Sequence, residues 1–468
     1  MKTGVRILAL DHYFEQDLRA LEAHPRLSVR RFPYQRLRRP ALRMLGGDVA
    51  TGLDIYNRPG LAAARRRYAA WLADEVRRLY LEQAFDVIVL PSDTFFYVRS
   101  LPQAAHALGI PVVVVQKETT VAVGTMQAHS ALIRSAAPFI SDFMTVCSDR
   151  HREFWLRAGA EPALIEVTGQ PRFDIYAAPG SRARLSLHRV LFLSYALDAY
   201  VPRVGSEARP STWKQLRDET EAVLLNAARD GGCEVIVKCH PQQNVRAEEE
   251  RLARAAGTLW GKHFSIAKPD ADTRTLIATA DIVVGFQTTA LYESVAARKS
   301  VIYAAWGDQY ERFRERLIPF ESAPGGCLRR ASSAEELARF LDGTVPDPDV
   351  PCAPWYEEAL GHIDGHATDR VADRLEAVAE AWPAGAARTG LERGRRRYAA
   401  GLLARSMAAE AVWTLATPAA RLAGQQRRVA RRRNDARQGR TMATATLRRR
   451  GDSIDATPTN EFTPFGDT

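Results

Sequence analysis

Three short stretches of this chain gather side chains that could meet an anion. In VKCHPQQ (237–243), Lys238, His240 and Pro241 end the apolar run CEVIV. Lys238 and His240 flank Cys239, so an extended chain points both to the same side. An ammonium and an imidazole at a strand end suit phosphates. A protonated His240 beside a diphosphate would stabilise the charge on a departing group. The plainer reading is a strand-end lysine next to a packed histidine. In DIVVGFQTTALYES (281–294), an apolar strand ends at Gly285, Gln287, Thr288 and Thr289 make a polar turn, and a helix starts. Unpaired N–H groups and the dipole at a helix start attract phosphate. The two threonines add hydroxyl donors, and Glu293 could accept hydrogen bonds from a ribose. Alternatively, Thr288 is a plain N-cap and Glu293 a first-turn acid. In VTGQPRFD (167–174), Gly169 permits a tight turn, Pro171 stiffens it, and Arg172 offers a planar fork to phosphate or carboxylate. Arg172 could instead pair with Asp174 in a sheet-exit turn.

Group transfer also needs a base near the acceptor hydroxyl. The candidates are Asp11 and His12 in LDHYF, Asp93 in PSDTFF and Glu118 in QKETT, with His240 a further catalytic candidate. Each of the four could equally be a solvated loop residue or a cap. Several chemistries find no support. There is no GxxxxGK[ST] loop, no GxGxxG opening the chain and no HExxH. We therefore expect no ATP-driven motor, no nicotinamide or flavin cofactor and no metal; a nucleotide-activated donor would be a substrate.

These groups matter because of the elements that must carry them. VRILAL (5–10) is a fully apolar short run, the mark of a strand buried on both faces. Helical patterning over 14–23, LSVRRF, a long helix over 61–83, DVIVLP (86–91), a short helix LPQAAHALG, IPVVVVQKE, FMTVCS (143–148) and ALIEVTG (163–169) follow. The pattern restarts with HRVLFLSYA (188–196), a helix over 213–229, CEVIVKCHP, a helix over 247–257, HFSIA, TRTLIATA, DIVVGF, TTALYESVAAR, SVIYA and the helix SSAEELARFLDG. Strand and helix in alternation predict parallel sheets covered on both faces. The expected class is α/β, with two facing Rossmann-like doubly wound domains over 1–180 and 181–383. Ligands of such sheets bind beyond the carboxyl ends of the strands.

The 468 residues carry a net charge of +10, and 384–468 alone holds 17 Arg against 7 acidic residues. The body is thus close to neutral, and the basic character belongs to an appendage, expected to be helical, broken at Pro418, and disordered from about residue 441. Its arginine clusters at 395–397, 427–433 and 448–450 suit anionic lipid headgroups, or form a merely solvated helix. Without interleaved aromatics, a specific nucleic-acid partner is not expected. No run is long and apolar enough for a membrane helix. The five cysteines are scattered, which predicts reduced thiols and a cytoplasmic protein.

Taken in order, VTGQPRFD, VLFLS, VIVKCHPQQ, ADIVVGFQTTALYESVAARKSVIY and DGHATDRVADRL resemble bacterial surface-carbohydrate (capsule or teichoic-acid type) biosynthesis glycosyltransferases of the GT-B fold. The likeness extends to CDP-glycerol glycerophosphotransferases and, more distantly, to UDP-N-acetylglucosamine 2-epimerases. It covers about residues 1–382. It implies a C-terminal half that binds a nucleotide-sugar or CDP-polyol donor and an N-terminal half that holds a polysaccharide or lipid-linked acceptor. Lys238, His240 and Pro241, the pair Thr288–Thr289, and Glu293 fall on the family's donor motif. Arg298 and Lys299 stand where the family commonly has a glycine and a small residue. These cations either favour a more anionic donor or are simply solvated. The implied activity is transfer of a sugar or polyol phosphate at the inner face of the cell membrane. A UDP-sugar 2-epimerase and a non-catalytic, membrane-associated scaffold of a biosynthetic complex are the alternatives.

Overall fold

Apolar runs that cannot be solvated become parallel strands. The structure is a computed structural model that describes residues 4–12, 14–117, 123–177, 188–197, 212–240, 243–342, 351–382, 386–422 and 426–448. The chain begins β1 (Val5–Leu10), α1 (Glu15–Ala23), β2 (Leu27–Phe32), α2 (Gln35–Leu45), α3 (Ala62–Glu82), β3 (Val87–Leu90), α4 (Leu101–His106) and β4 (Val112–Val115). It continues with α5 (Met126–Ala136), β5 (Phe143–Val146), α6 (Asp149–Arg157) and β6 (Ile165–Val167). All six strands pair in parallel, in the order β2-β1-β3-β4-β5-β6.

After β6 the same scheme repeats. It runs β7 (His188–Leu193), α7 (Lys214–Arg229), β8 (Cys233–Lys238), α8 (Val245–Ala256), β9 (Phe264–Ile266), α9 (Thr273–Thr279) and β10 (Ile282–Gly285). Then come α10 (Ala290–Ala296), β11 (Ser300–Ala304), α11 (Asp308–Phe313), β12 (Arg329–Ala331) and α12 (Ala334–Asp342). The second sheet is also parallel, in the order β12-β11-β10-β7-β8-β9. The α/β class with two doubly wound sheets is therefore the one the sequence pattern predicts. Each sheet reverses its winding once, between β1 and β3 and between β7 and β10. Those are the positions where a crevice opens beyond the strand ends.

The chain closes with α13 (Ala353–Leu360), α14 (Ala367–Ala381), α15 (Ala386–Leu422) and α16 (Gln426–Arg448). Helix α14 returns to the first sheet. Val371, Ala372 and Leu375 are buried with Ile7, Ala9, Val87, Val89, Val113 and Val115 and with Leu18 and Leu21 of α1. A helix read with the second domain thus covers the first.

The chain divides into two compact units. One is Met1–Ala70, Phe85–His106 and Ile110–Trp382, and contains both sheets. The other is Trp71–Ala84, Ala107–Gly109 and Pro383–Thr468. Within the second unit, α15 and α16 form a hairpin with a seam of small residues. Ala436 and Ala443 are buried, and a Cβ on Gly439 would lie 2.6 Å from Ser406 Oγ. Arg437 and Arg440 both pair with Glu410, at 2.9 and 2.8 Å. The basic tail is helical, as expected, but α15 runs through Pro418 to Leu422. Against the disorder expected from about residue 441, α16 continues helical to Arg448; the rest of that stretch lies outside the described residues.

The cysteines require a correction. Cys327 and Cys352 form a disulfide, 25 residues apart in sequence with Cα atoms 5.6 Å apart. Folding brings the start of α13 to the turn before β12, within the range a disulfide spans. Cys147, Cys233 and Cys239 are free and buried. Cysteine usage therefore no longer argues for a reducing compartment.

Close backbone approach fixes where α13 meets the first sheet. Gly361 ends α13 at φ 80°, and a Cβ there would lie 1.7 Å from the Cys147 carbonyl oxygen. Gly231 has a similar φ of 75° but nothing within 4 Å. Gly231→Ala should cost only the left-handed strain, about 1–2 kcal/mol. Gly361→Ala must also push the touching backbones apart, so thermal unfolding should show a clearly larger loss. Equal losses would mean the contact is slack.

Candidate active site

A cleft of about 670 Å³ lies at the β7/β10 reversal of the second sheet. Leu193 and Ser194 at the end of β7, Lys238 to His240 at the end of β8, and Thr288, Ala290 and Glu293 after β10 line one side. Glu15, Gln16, Asp17 and Arg19 of α1 line the other, and Arg172 reaches in between. Side chains from three distant stretches, VTGQPRFD, VKCHP and QTTALYE, thus meet in one place.

The geometry of β8 explains the lysine. Its burial alternates, with Cys233, Val235 and Val237 inward, so Lys238 falls on the open phase. Lys238 Nζ donates to the carbonyls of Lys268 and Pro269, at 3.3 and 3.0 Å. Burial lowers its pKa, opposed by Cys239, Asp270 and Asp272. The backbone of His240 is held by Gln243 Oε1 at 2.7 Å, and Gln243 Nε2 donates to Ser194 Oγ at 3.1 Å. Burial also lowers the His240 pKa. Burial thus disfavours the imidazolium, and negative charge brought beside the ring, such as a diphosphate, would favour it again. Pro241 lies outside the described residues.

Arg172 pairs with Asp17, not with Asp174. The Asp17 carboxylate is fully buried in α1. It accepts from the Arg172 backbone N–H at 3.1 Å, from Gln170 Nε2 at 3.1 Å, and from Arg172 Nη1 at 3.5 Å. Asp174 instead accepts from Ala367 N, Thr368 N and Thr368 Oγ1 and so holds the start of α14. Burial raises the Asp17 pKa, and the Arg172 guanidinium opposes that rise. Arg274 donates to the Arg172 carbonyl at 3.3 Å and forks onto Asp272 at 2.7 Å. Gln16 Nε2 also donates to Asp272 Oδ1, at 2.9 Å, which ties α1 to the start of α9.

Glu293 is buried, and its Oε2 accepts from the Tyr176 hydroxyl at 2.8 Å. Burial raises its pKa, with Arg172 opposing. Thr288 lines the cleft and Thr289 caps α10 through its carbonyl, which receives the Tyr292 and Glu293 N–H groups. Gln287 turns the other way. Its Nε2 donates to the Tyr303 hydroxyl and the Ile318 carbonyl, and its Oε1 accepts from Ile318 N, at 2.7–2.9 Å. That triple bonding holds it at φ 44°, in the left-handed region. Its side chain is a structural strut and not a wall of the cleft.

Arg298 and Lys299 are not in the cleft lining. Lys299 Nζ donates to the Ala278 carbonyl at 2.7 Å. Arg298 sits at φ 57°, in the left-handed region that favours glycine.

The first-lobe candidates stand at the β1/β3 reversal but do not line the cleft. Asp11 Oδ1 accepts from Tyr34 N at 2.8 Å. His12 stacks on Tyr34 with ring centroids 3.9 Å apart, lies 4.7 Å from Phe95, and hydrogen-bonds the Tyr97 hydroxyl through Nδ1. Burial, then Lys117 and Arg38, lowers its pKa to about 4. Asp93 is fully buried and accepts from Ile140 N, Ser141 N and Ser141 Oγ at 2.9–3.1 Å. Those bonds hold the 140–141 loop. Glu118 lies outside the described residues.

Sequence reasoning missed Asp17, Arg274, Asp272 and Tyr176. Asp17 had a signal: it falls on the apolar stripe Phe14, Leu18, Leu21 of α1, where a carboxylate has no business unless it is paired. Among the described residues no group of three His, Cys, Asp or Glu is placed to share a metal ion. A second cavity, of about 760 Å³, is walled by α5, α6 and α13 and includes none of the candidate residues.

No protein-family model matches this chain, and no curated protein is significantly similar to it. Among solved structures, it resembles UDP-GlcNAc 2-epimerase from Methanocaldococcus jannaschii (14% identity, 80% of this chain and 99% of that one, TM-score 0.46). It also resembles the enzyme from Neisseria meningitidis bound to UDP-GlcNAc (12%, 80% and 99%, TM-score 0.44). A third likeness is the Anabaena protein HepE in complex with UDP and glucose (14%, 80% and 98%, TM-score 0.42). At that distance, the chemistry has to be read from this chain's own side chains.

His12 gives a direct check of the electrostatics. Its ring should titrate near pH 4 in a histidine NMR titration, not near the ordinary 6.5. The unfolded chain takes up that proton first on acidification. The neutral ring therefore contributes stability above pH 6.5, and that contribution declines as pH falls from about 6.5 towards 4. A midpoint near 6.5 would place His12 in solvent.

Proposed function

We propose that this chain is a transferase that moves a sugar, or a polyol phosphate, from a nucleotide-activated donor to a surface polysaccharide or its lipid-linked precursor. The observation that carries this reading is the convergence of Arg172, Lys238, His240, Thr288 and Glu293 on the cleft at the β7/β10 reversal. Each residue has a task it can perform from where it stands. Lys238 brings a cation whose present partners are neutral carbonyls, so a diphosphate would compete well for it. Thr288 supplies a hydroxyl. Arg172 adds fixed positive charge, oriented by Asp17. The Oε1 atom of Glu293 can accept from a ribose hydroxyl while Oε2 keeps Tyr176. The acceptor's proton would go to a first-lobe group, with Asp11 and His12 the described candidates. Closure of the lobes would bring that group to the donor.

A sugar-nucleotide epimerase acting in the same cleft is the second reading. It is favoured by the engagement of Asp93 with the 140–141 loop, which leaves one fewer first-lobe group to take an acceptor's proton. That reading requires no polymer acceptor.

The nucleotide is the first thing to test. CDP, CMP, UDP and GDP should be screened for a rise in melting temperature, since binding to the folded state stabilises it. At least one should do so. Lys238→Ala and Arg172→Ala should each weaken that nucleotide by roughly 10- to 100-fold, the scale of a hydrogen bond to a charged group. Lys299→Ala should leave the affinity unchanged. Nucleotide sugars incubated without acceptor then separate the two reactions: an isomer appears for an epimerase, and turnover waits for acceptor in a transferase. If no nucleotide binds, or Lys238→Ala binds as well as the parent, the donor site lies elsewhere.

A further inference from the structure

Helix α15 presents the wrong surface to water. From residue 400 onward, Ala400, Ala404, Met407, Ala408, Ala411 and Val412 recur at helical spacing, and all are exposed. Met407 is 55% and Val412 59% exposed. The opposite face is already occupied: Ser406 and Ala399 are buried, and Ser406 meets Gly439 of α16. The exposed apolar face is therefore not what holds the hairpin together. A solvent face of a helix is normally polar, and a contiguous apolar one marks an interaction site.

The charge on the same hairpin says what covers it. Among the described side chains of α15 and α16, eight arginines are exposed, of which Arg437 and Arg440 pair with Glu410, and Asp435 is the exposed carboxylate. Arg396 and Arg397 lie one turn before the apolar face, and Arg431 and Arg432 are exposed on α16. A second copy of this surface would set like charges against each other. A nucleic acid would use the arginines but has no use for Met407 and Val412, and among the described residues of the hairpin no aromatic ring is exposed for bases to stack on. A bilayer interface rich in anionic lipid answers both features: apolar side chains enter the acyl boundary and arginines meet the headgroups.

We infer that the α15–α16 hairpin is a docking surface for an anionic lipid bilayer, lying in the interface with the 400–412 face of α15 inserted. This assignment does not depend on what the cleft binds. The test is co-sedimentation of the full-length protein with vesicles of phosphatidylcholine alone and of phosphatidylcholine with phosphatidylglycerol at 3:1. At 0.1 M salt the anionic vesicles should bind at least about 10-fold more protein. Met407→Asp with Val412→Asp should lower that partition by about 10-fold or more. Arg431→Glu with Arg432→Glu should lower it comparably at 0.1 M salt but much less at 0.5 M, where screening already weakens the headgroup contacts. All four positions are exposed, so melting temperatures should not change. Binding to both vesicle types alike, no binding to either, or full binding by the Met407→Asp/Val412→Asp protein overturns the assignment. So does a dimer in sedimentation that this double variant dissociates, or RNA binding that displaces the vesicles while ignoring that variant.

Discussion

A carboxylate with no access to water cannot stay charged unless a cation is held against it, and a buried guanidinium has the mirror requirement. Asp17 and Arg172 meet that requirement for each other, and much of the cleft follows from it. Because Asp17 takes the Arg172 backbone N–H as well as its guanidinium, the turn after β6 is fixed in direction as well as in charge. Arg274 then takes its position from the Arg172 carbonyl, and Asp272 from Arg274. Gln16 closes the chain of contacts back to α1. One buried pair therefore sets α1, the 171–176 segment and the start of α9 around a common space, and Glu293 with Tyr176 forms the floor beside them.

The cleft lining carries both signs, with Arg19, Arg172 and Lys238 set among Glu15, Asp17, Asp270, Asp272 and Glu293. Asp17 is committed to Arg172, and Lys238 leans on neutral carbonyl groups. Burial disfavours the charged form of His240. A diphosphate entering here would meet an ammonium, a hydroxyl and an imidazole ready to gain a proton. The same three groups in open water would offer it little, because solvent screens them.

Much of this was legible from residue order. Fully apolar four- to six-residue runs such as VVVV and IVVG read as buried parallel strands, and they are. Lys238 and His240 read as strand-end groups, Arg172 and Thr288 as turn groups and Glu293 as a helix-start acid, and all line the cleft. What failed was whatever depended on side-chain direction across distant elements. Gln287 and Asp93 look like polar loop residues in sequence, yet both are buried struts whose partners are 31 and about 47 residues away. The Cys327–Cys352 pairing needs two turns to be brought together by folding, which spacing alone cannot show. The apolar face of α15 was hidden in the sequence because alanines and a methionine pass as ordinary helix formers until the packed side is known.

The most direct measurement is a crystal structure with a nucleoside diphosphate bound. Density for the diphosphate within hydrogen-bond reach of Lys238 Nζ and the Thr288 hydroxyl, with the ribose towards Glu293, is the expected outcome. A nucleotide seated in the cavity between α5, α6 and α13, with Lys238 still bonded to the Lys268 and Pro269 carbonyls, would refute the site and with it the transferase reading.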